Sequence, residues 1–210
     1  MYKAQDVLTD IEDIRGLGRA AYASQQAKIL DHIDELCRLW IERSPFLTMA
    51  TSDADGRLDV SPKGDPAGFV RVLDAHTLAI PDRPGNHRYD SLHNILQTGS
   101  VGLCFMVPNR NEVVRVNGTA RVVRDLELRE SMAINGRVPD IAILVRVQEA
   151  FYHCGKSIIR SKLWVPEQAA PTDGLPTYAE AIKQHAEDQR PIEEIEEVMR
   201  DNDTRRLYEE

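Results

Sequence analysis

Apolar and polar residues alternate along several short segments of the chain, which is the pattern of strands buried on one face. Phe46 to Thr51 and Arg57 to Val60 flank the turn Asp53-Ala54-Asp55-Gly56 and predict a hairpin, because Asp-Gly favours a tight turn. A second hairpin is predicted from two β-type runs that are broken at Asp74-Ala75. Its apolar positions are Phe69, Val70, Val72, Leu73, Leu78 and Ile80.

Three longer segments predict the remaining strands. Ser100 to Val107 is continuously apolar, as expected for a central strand buried on both faces. Val113 to Val123 alternates, with Gly118 at its middle, where a strand would bend or bulge to help close a barrel. Ile141 to Cys154 predicts the last long strand.

Helical spacing appears at both ends of the chain and once between strands. Apolar residues recur every three or four positions from Ser24 to Arg43 and predict one helix that packs on the barrel. Asp125 to Ile134 predicts a short helix stopped by Asn135-Gly136. After a linker beyond Pro166, Tyr178 to Glu210 predicts two helices around Pro191 that cover a dimer groove or the partner subunit.

The stretch from Ser61 to Asn94 concentrates glycines, prolines and cations where strands end. Its glycines can adopt backbone conformations that are closed to other residues, and its prolines stop the flanking strands from extending. Lys63, Arg83 and Arg88 consequently lie at strand ends or helix starts, where a phosphate would meet guanidinium groups and the free N–H groups of a helix beginning near Tyr89. Surface loops have a similar composition for solubility alone, so the order of the residues has to carry the argument.

Length, charge and cysteine content narrow the class of protein. The 210 residues suffice for one barrel with helical extensions, and the formal charge of −8 argues against a nucleic-acid binder. No apolar run is long enough to span a bilayer, and Met1 to Asp13 lacks a signal-peptide pattern. The three widely spaced cysteines suggest neither a disulfide framework nor a zinc site, so we expect a cytoplasmic protein.

Three motifs occur in a recognisable order. Ser61-Pro62-Lys63-Gly64-Asp65 follows one strand, Arg83-Pro84-Gly85-Asn86-His87-Arg88 follows another, and the run from Tyr152 to Trp164 lies near the end of the last strand. Together they resemble the pyridoxamine 5′-phosphate oxidase-related FMN-binding proteins. More narrowly, the chain resembles a branch of that family in which the SPKGD and RxGNxR segments recur.

The resemblance covers about Leu30 to Trp164 and implies a mainly β fold with flanking helices, a split β-barrel. It further implies a homodimer with FMN at the subunit interface. Ser61, Pro62, Lys63 and Gly64 would face the flavin ring, and Arg83, Asn86 and Arg88 would hold the phosphate. A helix from Gly155 through Leu163 would contribute further contacts from either subunit, through Lys156, Arg160, Ser161 and Trp164.

These correspondences predict three regions and a function. Residues 1–45 form an N-terminal helical extension, 46–165 the split-barrel FMN-binding domain, and 166–210 a linker with a C-terminal helical extension. The function is that of an FMN-dependent oxidoreductase with a small-molecule electron donor and acceptor. Lys63 is the candidate for tuning the flavin electrostatically, and an ordinary surface lysine is the alternative interpretation. The family's C-terminal Arg-x-His substrate motif has no good counterpart here, which argues against vitamin B6 oxidation.

Other kinds of chemistry have weaker support in the sequence. The histidines show no metal-ligand spacing and the serines no Gly-x-Ser-x-Gly motif, so no metal or serine-hydrolase site is expected. One alternative is a carrier or sensor that binds flavin, or haem through His87 or His153. Another is an F420-dependent reductase, whose longer cofactor tail would need the basic residues Lys156, Arg160 and Lys162.

Overall fold

The structure of the protein is a computed structural model that describes residues 2–18, 20 and 22–209. The predicted terminal extensions also contain four residues that lie outside this described part, Met1, Arg19, Ala21 and Glu210. Within the described part, three short helices precede the first strand: α1 (Ile11–Gly16), α2 (Ala23–Ala27) and α3 (Glu35–Arg43).

The prediction of one continuous helix from Ser24 to Arg43 is wrong. Between α2 and α3 the backbone of Leu30 pairs with Ala150 as an isolated antiparallel bridge. Asp34 then starts α3 anew, because its side chain accepts a hydrogen bond of 2.8 Å from the backbone N–H of Cys37. The second half of the predicted apolar pattern still packs on the sheet. Its buried residues are Ile33, Cys37, Trp40 and Ile41.

The sheet accounts for most of the fold. Its strands are β1 (Phe46–Ser52), β2 (Leu58–Gly64), β3 (Arg71–Asp74), β4 (Thr77–Pro81), β5 (Ser100–Met106), β6 (Val113–Val123) and β7 (Ala142–His153). They pair antiparallel in the order β2-β1-β5-β6-β7-β4-β3. Both predicted hairpins are confirmed, the first turning at Gly56 with a φ of +81°.

A bulge in β6 bends the sheet into a barrel. The register between β6 and β7 shifts between Asn117 and Gly118. A Cβ at Gly118 would lie 2.0 Å from the carbonyl oxygen of Arg146, so only glycine allows this close approach. β6 pairs with β5 from Val113 to Thr119, a stretch that includes the bulge, whereas β7 pairs with β4 only beyond it, from Ala142 to Arg146. The predicted mainly β fold, a split barrel with flanking helices, is confirmed.

Two predictions about individual strands need correction. The first hairpin was expected to end at Val60, but β2 continues through Ser61, Pro62 and Lys63 to Gly64. Proline is tolerated there because β2 lies at the edge of the sheet order and pairs only with β1. The second correction concerns β5, which is buried on one face only: Leu103 and Phe105 are buried, whereas Cys104 between them is half-buried.

Five further α-helices and one short 3-10 helix (Pro166–Gln168) follow in the described part. Helix α4 (Asp90–Thr98) begins after the Arg83–Arg88 loop as predicted, and α5 (Leu126–Ser131) begins at the capping residue Asp125. Helix α6 (Lys156–Ser161) follows β7. The predicted pair of C-terminal helices is confirmed as α7 (Tyr178–His185) and α8 (Ile192–Thr204). None of the helices in the described ranges is long and apolar enough to cross a bilayer.

Candidate functional site

One large cleft lies between β2, the loop after β4, the start of α4 and the loop before β7. Its volume is about 1000 Å³, which is at the upper end of the ~300–1000 Å³ range of small-molecule sites. The residues that line it include Asp59 to Lys63, Asp82 to Leu92, Gly136 to Ile141, and Tyr208 with Glu209. Three segments far apart in the sequence and the C-terminal tail therefore meet at one place.

The cleft brings together most of the residues predicted to bind the cofactor. Ser61, Pro62, Lys63, Arg83, Asn86 and Arg88 all line it. Gly64 ends β2 beside them, and its Cα approaches the backbone of Pro45 so closely that a Cβ would lie 3.3 Å from that carbonyl oxygen. The SPKGD and RxGNxR motifs thus share one site, although β2 and β4 are not neighbours in the sheet.

The loop before α4 contains two residues in the left-handed region of backbone conformation. His87 and Tyr89 both have positive φ, at +55° and +57°. The side chain of Asn86 accepts a hydrogen bond of 3.1 Å from the backbone N–H of Arg88, which holds the turn. The exposed Arg88 side chain is paired with Asp90 in the first turn of α4. Successive N–H groups in such turns and at helix N-termini attract phosphate.

Arg83 is fixed from several sides. Its Nε donates a hydrogen bond of 2.6 Å to Asp65, and its Nη2 donates one of 2.8 Å to the carbonyl of Met132. The hydroxyl of Tyr208 donates a 2.6 Å hydrogen bond to the other oxygen of Asp65. This bond raises the pKa of Tyr208. Arg83 therefore joins the ends of β2 and β4 and has less donor capacity left for a ligand than the sequence suggests.

Lys63 meets a carboxylate within the cleft. Its Nζ lies 3.6 Å from Asp82, the residue that follows β4. Burial raises the pKa of Asp82, and the nearby Lys63 opposes this shift. The pair places a cation and a partly desolvated carboxylate on the wall that the resemblance assigns to the flavin ring.

The four C-terminal candidates lie elsewhere on the protomer. The indole Nε1 of Trp164 donates a hydrogen bond of 2.8 Å to the carbonyl of Arg110, in the turn between β5 and β6. Ser161 caps the end of α6 by a hydrogen bond to Ile158, while Lys156 and Arg160 are exposed. Within one protomer the structure does not bring these four described residues to the cleft.

Several residues of the cleft were not predicted from the sequence. Arg137 comes from the loop after α5, and Tyr208 and Glu209 come from the tail after α8. Asp59 accepts a 2.7 Å hydrogen bond from Ser91 and so ties β2 to α4. Arg137 belongs to no motif, and the polar, acidic tail gave no indication that it reaches the cleft. Only Asp59 could have been predicted, because the alternation of side chains along β2 places it on the same face as Ser61.

Comparison with known proteins agrees with this architecture. Residues 33–154, more than half of the chain, match the sequence model of the pyridoxamine 5′-phosphate oxidase family. No curated protein matches the chain significantly in sequence.

Three solved structures are among those that are similar to part of this chain. HupZ from Group A Streptococcus is 22% identical, with 57% of this chain and 93% of that chain covered and a TM-score of 0.46. General Stress Protein 26 from Bacillus anthracis is 12% identical, with 55% and 88% covered and a TM-score of 0.43. An FMN-binding protein from Syntrophomonas wolfei is 10% identical, with 68% and 95% covered and a TM-score of 0.42.

Proposed function

Because this chain belongs to the pyridoxamine 5′-phosphate oxidase family, we propose that it binds FMN in the cleft and acts as an oxidoreductase. One observation carries the proposal: the cleft unites the Ser61–Lys63 segment with the Arg83–Arg88 loop, and these are the two motifs that the resemblance assigns to the ring and the phosphate. When bound, FMN supplies the redox chemistry, so the protein needs only to bind, orient and shield it.

The residues of the cleft suit this ligand. The turn at His87 and Tyr89 and the N-terminus of α4 favour the phosphate, and the exposed Arg88 is the guanidinium best placed to join them. Ser61 and Lys63 lie on the β2 wall, where Lys63 provides a positive charge beside the ring. Arg83 holds the start of the Arg83–Arg88 loop in place through its hydrogen bond to Asp65, and we assign Arg83 a positioning role.

A homodimer is the second part of the proposal. Leu58 and Val60 are 79% and 64% exposed on the outward face of β2. Residues opposite each other in antiparallel strands share a face, so Ala50 of β1 and Gly102 of β5 continue the surface from Val60. An exposed apolar face of this kind is typical of an interface. Its continuity with the cleft, which Val60 also lines, supports a second copy of the chain as its partner.

In this proposed dimer the segment after β7 contributes to the cleft of the partner subunit. Lys156, Arg160, Ser161 and Trp164 lie away from the cleft of their own protomer, and we assign the cofactor contacts that the resemblance implies for them to the partner's cleft. The flanking regions 1–45 and 166–210 are extensions to the central domain 46–165. The three cysteines are free, which supports a reducing cytoplasm as the location.

The test is to purify the protein without added cofactor, record its visible spectrum and identify any released ligand by mass spectrometry. We expect stoichiometric FMN that NADH or NADPH reduces. A Soret band would indicate haem, and released F420 would indicate the deazaflavin. Bound FMN that no electron donor reduces would indicate a carrier or sensor. A colourless protein that does not take up added FMN would overturn the proposal.

A further inference from the structure

Every lysine and arginine that the structure describes in the lining of the cleft is already paired with a carboxylate. The pairs are Lys63–Asp82 at 3.6 Å, Arg83–Asp65 at 2.6 Å, Arg88–Asp90 at 2.7 Å and Arg137–Glu209 at 2.5 Å. A ligand phosphate or carboxylate that binds here must therefore take a cation from one of these partners or share it.

The Arg137–Glu209 pair differs from the other three in the origin of its acid. Asp65, Asp82 and Asp90 belong to the strand ends and the helix that build the cleft, whereas Glu209 comes from the tail beyond α8. The neighbouring Tyr208 donates its hydroxyl to Asp65, and its ring centroid lies 5.9 Å from the guanidinium carbon of Arg83. The tail is thus attached at two points of the cleft, one at Asp65 and one at Arg137.

The attachment at Arg137 is the exchangeable one. The two side chains are 59% and 48% exposed, and ion pairs of that exposure contribute little to stability. By contrast, the side chain of Asp65 is 1% exposed and is held by Arg83 as well as by Tyr208. A guanidinium binds carboxylate and phosphate oxygens with the same fork geometry, so Arg137 can exchange one anion for the other.

We propose that residues 205–209 form a strap over the cleft and that Arg137 is an anion-binding residue, which exchanges the Glu209 carboxylate for the phosphate or carboxylate of a ligand. The inference rests on the proposed function in taking FMN as the first such ligand. The strap acts as an internal competitor: the affinity for an anionic ligand is lowered by the fraction of molecules in which Arg137 is occupied by Glu209.

The first experiment titrates the protein with FMN and follows flavin fluorescence. Glu209→Gln is expected to tighten binding about 2- to 5-fold, the range that an exposed ion pair supports. Removal of residues 206–210 is expected to tighten binding at least as much. In an Arg137→Gln background the effect of Glu209→Gln should vanish. Glu197→Gln, which removes the same charge from an exposed position on α8, is the matched control.

The second experiment does not depend on FMN. Trypsin cleavage after Arg206 releases residues 207–210, and mass spectrometry measures the rate. Inorganic phosphate should accelerate the release relative to chloride at the same ionic strength, because phosphate displaces Glu209 from Arg137. In Arg137→Gln the release rate should be the same in phosphate and in chloride, because the Tyr208–Asp65 attachment that remains does not depend on the anion.

The outcomes separate the two proposals. Phosphate-dependent release without FMN binding by any variant would support the strap and refute the proposed cofactor. Normal FMN binding together with equal release in phosphate and chloride would overturn the strap. Weaker FMN binding after Glu209→Gln or removal of the tail would also overturn it, because the tail would then be a wall of the site and not a competitor.

Discussion

The carboxylate of Asp65 lies beneath the cleft and accepts a hydrogen bond of 2.6 Å from Nε of Arg83. Asp65 directly follows β2 and Arg83 follows β4, two strands that are separated by four others in the sheet order. The Asp65 side chain is almost fully buried and the Arg83 side chain largely so. This ion pair therefore joins the two motifs of the candidate site.

Breaking this pair should destabilise the fold. Asp65→Asn or Arg83→Gln leaves a buried charge without its partner, and we expect the free energy of unfolding to fall by about 3 to 5 kcal/mol. Urea unfolding of both single variants and the double variant measures this. The double variant should lose less than the sum of the single losses. Additive losses would show that the pair is not coupled.

Arg88 should matter for binding and not for folding. Its side chain is exposed, so Arg88→Gln is expected to weaken FMN binding at least about tenfold through the lost charged hydrogen bond. The urea midpoint should stay unchanged. Arg57→Gln is a suitable control, because Arg57 is also an exposed arginine paired with an aspartate two residues away. Equal FMN affinity in both variants would contradict the assignment of the phosphate to this loop.

Asp82 predicts a pH dependence of stability. Its pKa is raised by burial above the ordinary value of 3.8, so the folded state binds the proton more tightly than the unfolded state does. The stabilisation from this protonation is complete below pH 3.8 and is lost as the pH rises through the raised pKa. Asp82→Asn does not lose stability in this way, because asparagine has no carboxyl group to titrate. Urea unfolding from pH 3 to pH 7 should therefore show that the free energy of unfolding of the variant rises relative to that of the wild type as the pH increases.

The three thiols should react at very different rates. Burial raises the pKa of Cys37 to about 12, and it also raises that of Cys104, whereas Cys154 is exposed. A thiol reagent at pH 8 is expected to modify one cysteine rapidly and the other two only after unfolding, because the thiolate is the reactive form. Cys154→Ser should abolish the fast phase. Persistence of that phase would show that another thiol is accessible.

The outward face of β2 should control the oligomeric state. Val60→Glu places a charge in the proposed apolar interface and is expected to convert a dimer into a monomer, as light scattering after gel filtration would show. FMN binding should weaken at the same time, because Val60 lines the cleft and because the partner subunit adds to the cleft in the proposed dimer. Leu175→Glu is the control, because Leu175 is similarly exposed but lies in the linker before α7. A dimer in both variants would place the interface elsewhere.

Local patterns in the sequence gave correct predictions where interactions between residues close in the sequence determine the structure. The turn at Gly56 and the bulge at Gly118 each follow from a residue type that few alternatives replace, and the acidic Asp125 correctly marked the start of α5. The alternating pattern predicted β6, and apolar runs that end at turn residues predicted both hairpins. The same reasoning failed for Ser24–Arg43, where the stripe continued but a capping aspartate and a long-range bridge to Ala150 divided the helix.

The candidate site shows the same division between local and long-range effects. The order of the motifs predicted which segments form the candidate site, and six of the predicted residues line one cleft. The sequence could not show that Asp65 engages Arg83, because their contact depends on closure of the barrel. It likewise gave no sign that Arg137 and Glu209, 72 residues apart, pair across the cleft.

The sequence by itself determined the strands, the turn positions, the family and the segments that carry the motifs, since these depend on residue type and spacing along a short stretch. Only the tertiary structure decided which cations pair with which carboxylates, which face of β2 is left uncovered, and that the tail reaches the cleft. Such contacts join residues far apart in the chain, and their geometry is fixed only when the bent sheet brings its ends together.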